Sequence, residues 1–206
     1  MTALREFVLQ DLFKFNRIVF DPLTEVYPLL YFYNKILEFP LLAEVAVAPD
    51  GQMMGFLIGS RQVDGADRVG DGKDLDLNNN HGHVCTLSIN HDYRCLGLGT
   101  HLMKRFNNRL ELKQDLFVDL FVRSRNVNAI RLYKSLGYVI YQKLPCFYGD
   151  DDGYDMRLPL SRDVERRCLQ NQEYLMGILF LLLRLPRKYL ISLWHALLKL
   201  LTKKLF

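Results

Sequence analysis

Cysteine is scarce and poorly spaced for structural chemistry. None of the four, Cys85, Cys95, Cys146 and Cys168, forms a CxxC pair or stands at metal-ligand spacing. No apolar run opens the chain, because Arg5, Asp11 and Lys14 interrupt it. That argues against a secretory leader and for reduced thiols in an intracellular, cytoplasmic protein. Histidine is also sparse: His81-Gly82-His83 is the one close pair among five, and no cysteine or carboxylate completes a ligand set. Core or site histidines are expected, and no metal. Neither charge sign dominates. Lys and Arg number 27 against 23 Asp and Glu, a net charge of +4. This balance suits an anionic cofactor and is too weak to argue for nucleic acid.

Apolar residues are plentiful, at 50% of the 206-residue chain, with 12% aromatic. That is enough for one domain with a sizeable core plus an appendage. The pattern predicts a strand in 2–9, then a helix capped by Asp11 and running to Asn16. Asp21-Pro22-Leu23-Thr24-Glu25 reads as a loop. A helix over Leu29–Phe39 is stopped by Pro40. Strands over Leu42–Ala48 and Met53–Ser60 flank the turn Pro49-Asp50-Gly51. Residues 64–80 carry scattered Gly, Asp and Asn without periodicity, and read as an exposed, flexible insertion. A strand over His83–Ile89, a helix with Leu98, Leu102, Met103, Phe106 and Leu110 on one side, and an apolar central strand Leu116–Val122 follow. Asn126 caps a further helix that stops at Gly137. Strands over Tyr138–Leu144 and Tyr154–Leu158 complete a mixed α/β sheet of about six to seven strands flanked by helices.

The turn Arg94-Cys95-Leu96-Gly97-Leu98-Gly99-Thr100 joins a strand to a helix. Such a turn aims backbone N–H groups and the positive end of a helix dipole at one spot, where glycine permits close approach of an anion. A lone G-x-G pair fits an ordinary turn equally well. Its context adds weight: R-x-x-G-x-G after a strand, then a central apolar strand, then N-x-x-A-x-x-L-Y-x-x-L-G-Y from Asn126 to Tyr138. In that order these features resemble the GNAT acyl-CoA N-acyltransferase superfamily, over roughly residues 2–167. One branch, the NatB catalytic subunits, is closer still. Its likeness rests on Asp11–Asn16, Asp21–Glu25, His81–Val84, Phe117–Arg123, Tyr133–Tyr138, Tyr154–Arg157 and Leu160–Asp163.

The resemblance implies a GNAT fold whose fourth and fifth strands part to admit acetyl-CoA, the acetyl donor. The implied acceptor is the α-amino group of nascent polypeptides beginning Met-Asp, Met-Glu, Met-Asn or Met-Gln. The implied partners are a large helical auxiliary subunit and, through it, the ribosome. Cofactor contacts then fall to Leu87, Ile89, Arg94, Leu96, Gly97, Leu98, Gly99 and Thr100, with Asn126 and Tyr133. Tyr133 matches the general acid beside the coenzyme A sulfur, although its helical stripe alone would make it a core aromatic. Asn126 matches a residue near the acetyl group and is also a helix cap. His83 and Cys85 share a strand face directed at the first two substrate residues. His83 could read an acidic or amide second residue or relay a proton through water. The catalytic set is thus Tyr133, His83 and Asn126. Glu25, Tyr27, Phe147 and Tyr148 complete the peptide site with His83 and Cys85.

Three departures from the family pattern stand out. Cys95 replaces a second arginine, Cys85 replaces a threonine, and Phe147 replaces a tyrosine. The acidic run Asp150-Asp151-Asp152 reads as solvated surface. The extension from residue 168 concentrates basic residues and apolar helical segments. Its apolar run Tyr174–Leu183 is too short to cross a hydrocarbon core of about 30 Å. It is expected to contact a partner, its own domain or a membrane surface. Two other readings remain open: a GNAT acting on small amines or lysine, and a catalytically weakened adaptor.

Overall fold

The computed structural model describes residues 2–15, 18, 24–25, 27–62, 80–149 and 151–170. Met1–Leu169 form one compact unit. The insertion expected at 64–80, apart from Asn80, and the extension beyond residue 170 lie outside the described residues, as do Asp21, Pro22 and Leu23.

Among the described residues, seven strands form one sheet: β1 (Ala3–Glu6), β2 (Ala43–Val47), β3 (Met53–Gln62), β4 (His81–Ile89), β5 (Phe117–Arg123), β6 (Val139–Leu144) and β7 (Gly153–Pro159). Their spatial order is β1-β2-β3-β4-β5-β7-β6. Among the described residues, only β4 and β5 pair in parallel. Three helices are described: α1 (Leu29–Glu38), α2 (Leu98–Leu112) and α3 (Val127–Ser135). α2 joins β4 to β5, the crossover a parallel pair requires.

Each sheet face has its own core. On one face, Leu102, Met103, Phe106 and Leu110 of α2 meet Val84, Val118, Leu120, Val122 and Met156. On the other, Phe32 and Ile36 of α1 meet Phe7, Phe15, Val45, Phe56 and Ile58. Each such large side chain, removed from water, stabilises the fold by roughly 1.5–3 kcal/mol. α2 lies close against β4 because Gly82 faces it. A Cβ at that position would stand 2.0 Å from Leu110 Cδ1.

Two buried carboxylates tie elements together. Glu44 on β2, 3% exposed, accepts from Arg105 at 2.8 Å and also pairs with Arg109, both on α2. Asp115, fully buried before β5, accepts from Arg61 at the end of β3 at 2.6 Å. The expected helix from Asp11 to Asn16 is corrected. A short 3-10 turn spans Leu9–Phe13, and Asp11 lies inside it. Its carboxylate takes the Val8 N–H at 3.0 Å and both ends of the Arg5 guanidinium at 2.6 and 2.8 Å. Asp11 therefore bonds back to β1 from inside the turn, instead of starting a helix.

The feature that positions the site is the parting of β4 and β5. Their ladder runs from His81↔Phe117 to Val84↔Leu120 and goes no further. Beyond it β4 continues to Ile89 on β3, and β5 continues to Arg123 on β7. A cleft opens between them.

Candidate active site

A β-bulge shapes one wall of this cleft. Across β3 and β4, Ile58 pairs with Thr86 and Gly59 with Val84, so Cys85 is the extra residue. A bulge re-aims the side chains that follow it. Before it, Gly82 and Val84 face the α2 side while His83 faces the α1 side. After it, Leu87 and Ile89 pack with the α2 and α3 cluster. One strand thus offers His83 and Cys85 to one side of the sheet and Leu87 and Ile89 to the other. His83 and Cys85 both line the cleft, and simple alternation ends at Cys85.

The cleft has a volume of about 100 Å³ and is lined by Glu25, Tyr27, His83, Cys85, Leu87, Asn126, Tyr133 and Tyr148 among others. Eight of the residues expected from sequence therefore meet around one space. Tyr133, on α3, is 7% exposed. Burial pushes its phenol up to about 12, so it keeps its proton at neutral pH. Asn126 is placed by the bend from β5 into α3, and its side-chain oxygen accepts the Ala129 N–H at 3.2 Å. The cap role is thus occupied, and the cleft-lining position is a second, compatible property.

Next to the cleft lies the glycine turn. Gly97 has φ 79° and precedes α2 with no side-chain cap, so the first N–H groups of a 15-residue helix stay open to an anion. Open space surrounds the position of a Cβ at Gly97, so glycine is required there by its φ. Gly99 lies under Leu132, Ile89 and Leu87, within 4.0 Å of a Cβ placed there, which connects the turn to the cleft wall. Arg94 extends back along the strand end, its Nε donating to the Ile89 carbonyl at 3.2 Å. Leu96 is 65% exposed. Cys95 also takes a left-handed φ of 61°, which the sequence did not signal. Arg94, Leu96, Gly97, Leu98, Gly99 and Thr100 are absent from the cleft lining and form this neighbouring turn.

Across the mouth, Arg123 at the end of β5 holds two loops. It pairs with Glu25 at 2.7 Å and lies over the Tyr148 ring at 4.4 Å. Tyr27 stacks on Tyr31 at 4.5 Å. Burial raises the Tyr27, Tyr31 and Tyr148 phenols, and a hydrogen bond with the Cys85 side chain raises Tyr31 further. Cys85 Sγ lies 3.5 Å from Ser60 Oγ. Phe147 is 48% exposed and stands outside the lining, packed on Phe121 and Tyr148 at 5.0 Å each.

The loop carrying Tyr148 corrects another expectation. The described part of the acidic run is not simply solvated. Asp151, 9% exposed in its side chain, pairs with Arg125 at 3.0 Å and accepts from Ser124 at 2.9 Å. Asp152 pairs with Lys143 at 2.6 Å and accepts the Cys146 N–H at 2.9 Å. These bonds fasten the loop to β5 and β6, and so fix where Tyr148 stands.

Sequence reasoning passed over Asp119 and Arg123. His83 Nδ1 lies 2.8 Å from Asp119 Oδ1 across the β4–β5 ladder. A carboxylate only accepts, so Nδ1 carries the proton and a neutral ring keeps its Nε2 lone pair. The signal was a carboxylate in the otherwise apolar run Phe117–Val122, since a buried charge needs a partner. For Arg123 the signal was a cation ending that run. Among the described residues, no cluster of three or more His, Cys, Asp or Glu could hold a metal ion.

The acetyltransferase (GNAT) family profile matches residues 9–138. The chain belongs to this family. Within the GNAT family, it is 39% identical over 171 residues to N-alpha-acetyltransferase 20 of Dictyostelium discoideum, covering 82% of this chain and 92% of that protein. It is 34% identical to the N-terminal acetyltransferase B complex catalytic subunit NAA20 of Arabidopsis thaliana, covering 82% and 91%. The structure of Chaetomium thermophilum Naa20 in complex with a bisubstrate analogue matches with a TM-score of 0.70 at 30% identity, covering 80% and 90%. This GNAT chain is thus a homologue of NatB catalytic subunits, with acetyl-CoA as its acetyl donor.

Proposed function

We propose that this chain acetylates the α-amino group of polypeptides beginning Met-Asp, Met-Glu, Met-Asn or Met-Gln, as the catalytic subunit of a NatB complex. The carrying observation is the parting of β4 and β5 beyond Val84↔Leu120, with Tyr133 lining the opening and an uncapped helix N-terminus beside it. This arrangement fits acetyl-CoA. The backbone N–H groups at the start of α2, with Arg94, would hold its phosphates, and the open edges of the two strands would flank its thiol arm. The cofactor supplies an acetyl group already activated as a thioester. A free α-amine has a pKa near 7.7–8.0, so little base strength is needed. The chain's residues hold the amine in place and supply a proton at the Tyr133 hydroxyl. Glu25, Tyr27 and Tyr148 hold the Met amine, and His83 with Cys85 meets the second residue.

A partner is supported by an exposed apolar row. Leu29, Tyr33, Leu37 and Leu41 are 53%, 40%, 55% and 54% exposed at four-residue spacing along α1 and just past it. The auxiliary subunit, and the ribosome through it, belong to this reading. So does a partner or membrane-surface contact by the extension beyond residue 170.

A peptide panel tests the reading. The full chain, with and without a NatB auxiliary subunit, is given Met-Asp, Met-Asn, Ser, Ala and lysine peptides. Preference for the first two is expected, and equal turnover of all would refute the subtype. Two substitutions probe the parts. Cys95→Arg restores a cation beside the phosphate turn and should tighten coenzyme A binding about threefold to tenfold at low salt, less at high salt. Titration calorimetry at two salt concentrations checks this. Arg123→Met frees both Glu25 and Tyr148, and should raise KM for peptide roughly tenfold with kcat changed much less. Steady-state kinetics on Met-Asp peptide reads this split.

A further inference from the structure

The proposed second-residue set contains two kinds of hydrogen-bonding partner. Asp and Glu side chains only accept, whereas Asn and Gln side chains also donate. A single rigid donor would favour the acids, and a single rigid acceptor would favour the amides. His83 can be either. Its Nδ1 is committed to Asp119 Oδ1 at 2.8 Å, which leaves Nε2 as the group free to change role. His83 lines the cleft, whereas Asp119 does not. The Asp119 side chain is 12% exposed and lies where the β4–β5 ladder is still closed. It therefore acts on substrate only through the ring.

We propose that Asp119 is a positioning residue that makes His83 a proton-switched reader of the second substrate residue. With a carboxamide bound, the ring is neutral and Nε2 accepts the amide N–H. With a carboxylate bound, the ring takes one proton from solvent, and Nε2–H donates to the substrate while Nδ1–H donates to Asp119. No covalent bond changes; the complex with an acidic substrate holds one proton more than the complex with an amide. The imidazolium then lies between two carboxylates, each a charge-assisted partner. This inference rests on the NatB reading.

The other ionisable groups around the ring support the assignment. From β7, the Asp155 carboxyl interacts with both His83 and Asp119; burial raises it above the usual range despite its pair with Arg157. From β3, the facing residue is Ser60, which carries no charge. On β4, Cys85 is the neighbour. Glu25, Tyr27, Arg123 and Tyr148 line the same cleft, and Glu25 is neutralised by Arg123. Among the described residues, Asp119 is thus the carboxylate that touches the ring, and the ring lines the cleft while Asp119 does not.

The test is the ratio of kcat/KM for Met-Asp to that for Met-Asn peptide, measured from pH 6 to 9 on the full chain co-expressed with a NatB auxiliary subunit. Titration of the α-amine, cofactor binding and the fraction of folded enzyme cancel in this ratio. The ratio should fall as pH rises, by up to tenfold per pH unit, because the two bound states differ by one proton. Asp119→Asn keeps an acceptor for Nδ1–H and removes the charge. It should lower the ratio roughly tenfold at pH 7 with the Met-Asn value much less affected. His83→Gln should flatten the pH dependence. A pH-independent wild-type ratio overturns the proposal, whatever the variants do. So does turnover of Met-Asn with none of Met-Asp. Turnover of Ser and Ala peptides with neither Met-Asp nor Met-Asn overturns the NatB reading itself.

Discussion

Tyr133→Phe lowers kcat for peptide acetylation by about a hundredfold to a thousandfold, with the dissociation constant for coenzyme A and KM for peptide changed by less than about threefold. The substitution removes one oxygen from a ring that is 7% exposed and keeps the ring itself. Packing against Tyr138, whose ring centroid is 5.9 Å away, is retained. What is lost is a hydroxyl on the cleft wall with a firmly held proton. Burial pushes that phenol up to about 12. Because the pKa is raised, the protonated form persists across the whole assay range. The wild-type enzyme should therefore show no alkaline loss from this group below about pH 11. The loss corresponds to roughly 3–4 kcal/mol of transition-state stabilisation. Stopped-time assays with saturating acetyl-CoA and a Met-Asp peptide give kcat directly. A change below threefold would return Tyr133 to the core aromatic that its helical stripe also allows.

Arg61→Met costs about 3–5 kcal/mol of folding stability. Asp115 is fully buried and receives the Arg61 guanidinium at 2.6 Å from Nη2 and 2.9 Å from Nε. Removing the cation leaves a buried carboxylate uncompensated, which costs more than the pair contributed. The pair joins the end of β3 to the start of β5, the strands on either side of β4. The parting of β4 from β5 depends on both neighbours staying in place. The midpoint of thermal unfolding should drop by roughly 10 °C. Combining Arg61→Met with Asp115→Leu should recover most of that drop, because the pair is then replaced by apolar groups together. If the double variant is no more stable than the single, the loss comes from packing of the arginine stem and not from the orphaned charge.

Most of the fold could be read from the chain because its elements announce themselves locally. The apolar spacing of Leu102, Phe106 and Leu110 and the alternation through β4 matched the observed helix and strand, with boundaries shifted by a few residues. Asn126 and Gly137 marked the ends of α3 by cap and left-handed turn. What stayed hidden depends on contacts between distant segments. The bulge at Cys85 exists only in register with Gly59, 26 positions earlier in the chain. Asp119 becomes meaningful only when its ladder partner is known to be His83. Asp11 looked like a cap until Arg5 was found to hold it. Asp151 and Asp152 looked like surface until Arg125, Ser124, Lys143 and the Cys146 N–H took up their oxygens. Charged residues were the ones misjudged, because a carboxylate's place depends on a partner that local periodicity does not name.

In the proposed function, one cleft between β4 and β5 holds a phosphate-bearing thiol cofactor and a Met-Asp or Met-Asn N-terminus at the same time. The most direct measurement is the affinity of a coenzyme A molecule joined through its sulfur to the α-amine of a Met-Asp peptide, titrated into the full chain with a NatB auxiliary subunit. Because the second group binds intramolecularly once the first is seated, the conjugate should bind at least about a hundredfold tighter than coenzyme A alone. The same conjugate made with a Ser-start peptide should lose most of that gain. A Met-Asp conjugate that binds no tighter than coenzyme A would contradict simultaneous occupancy of the cleft.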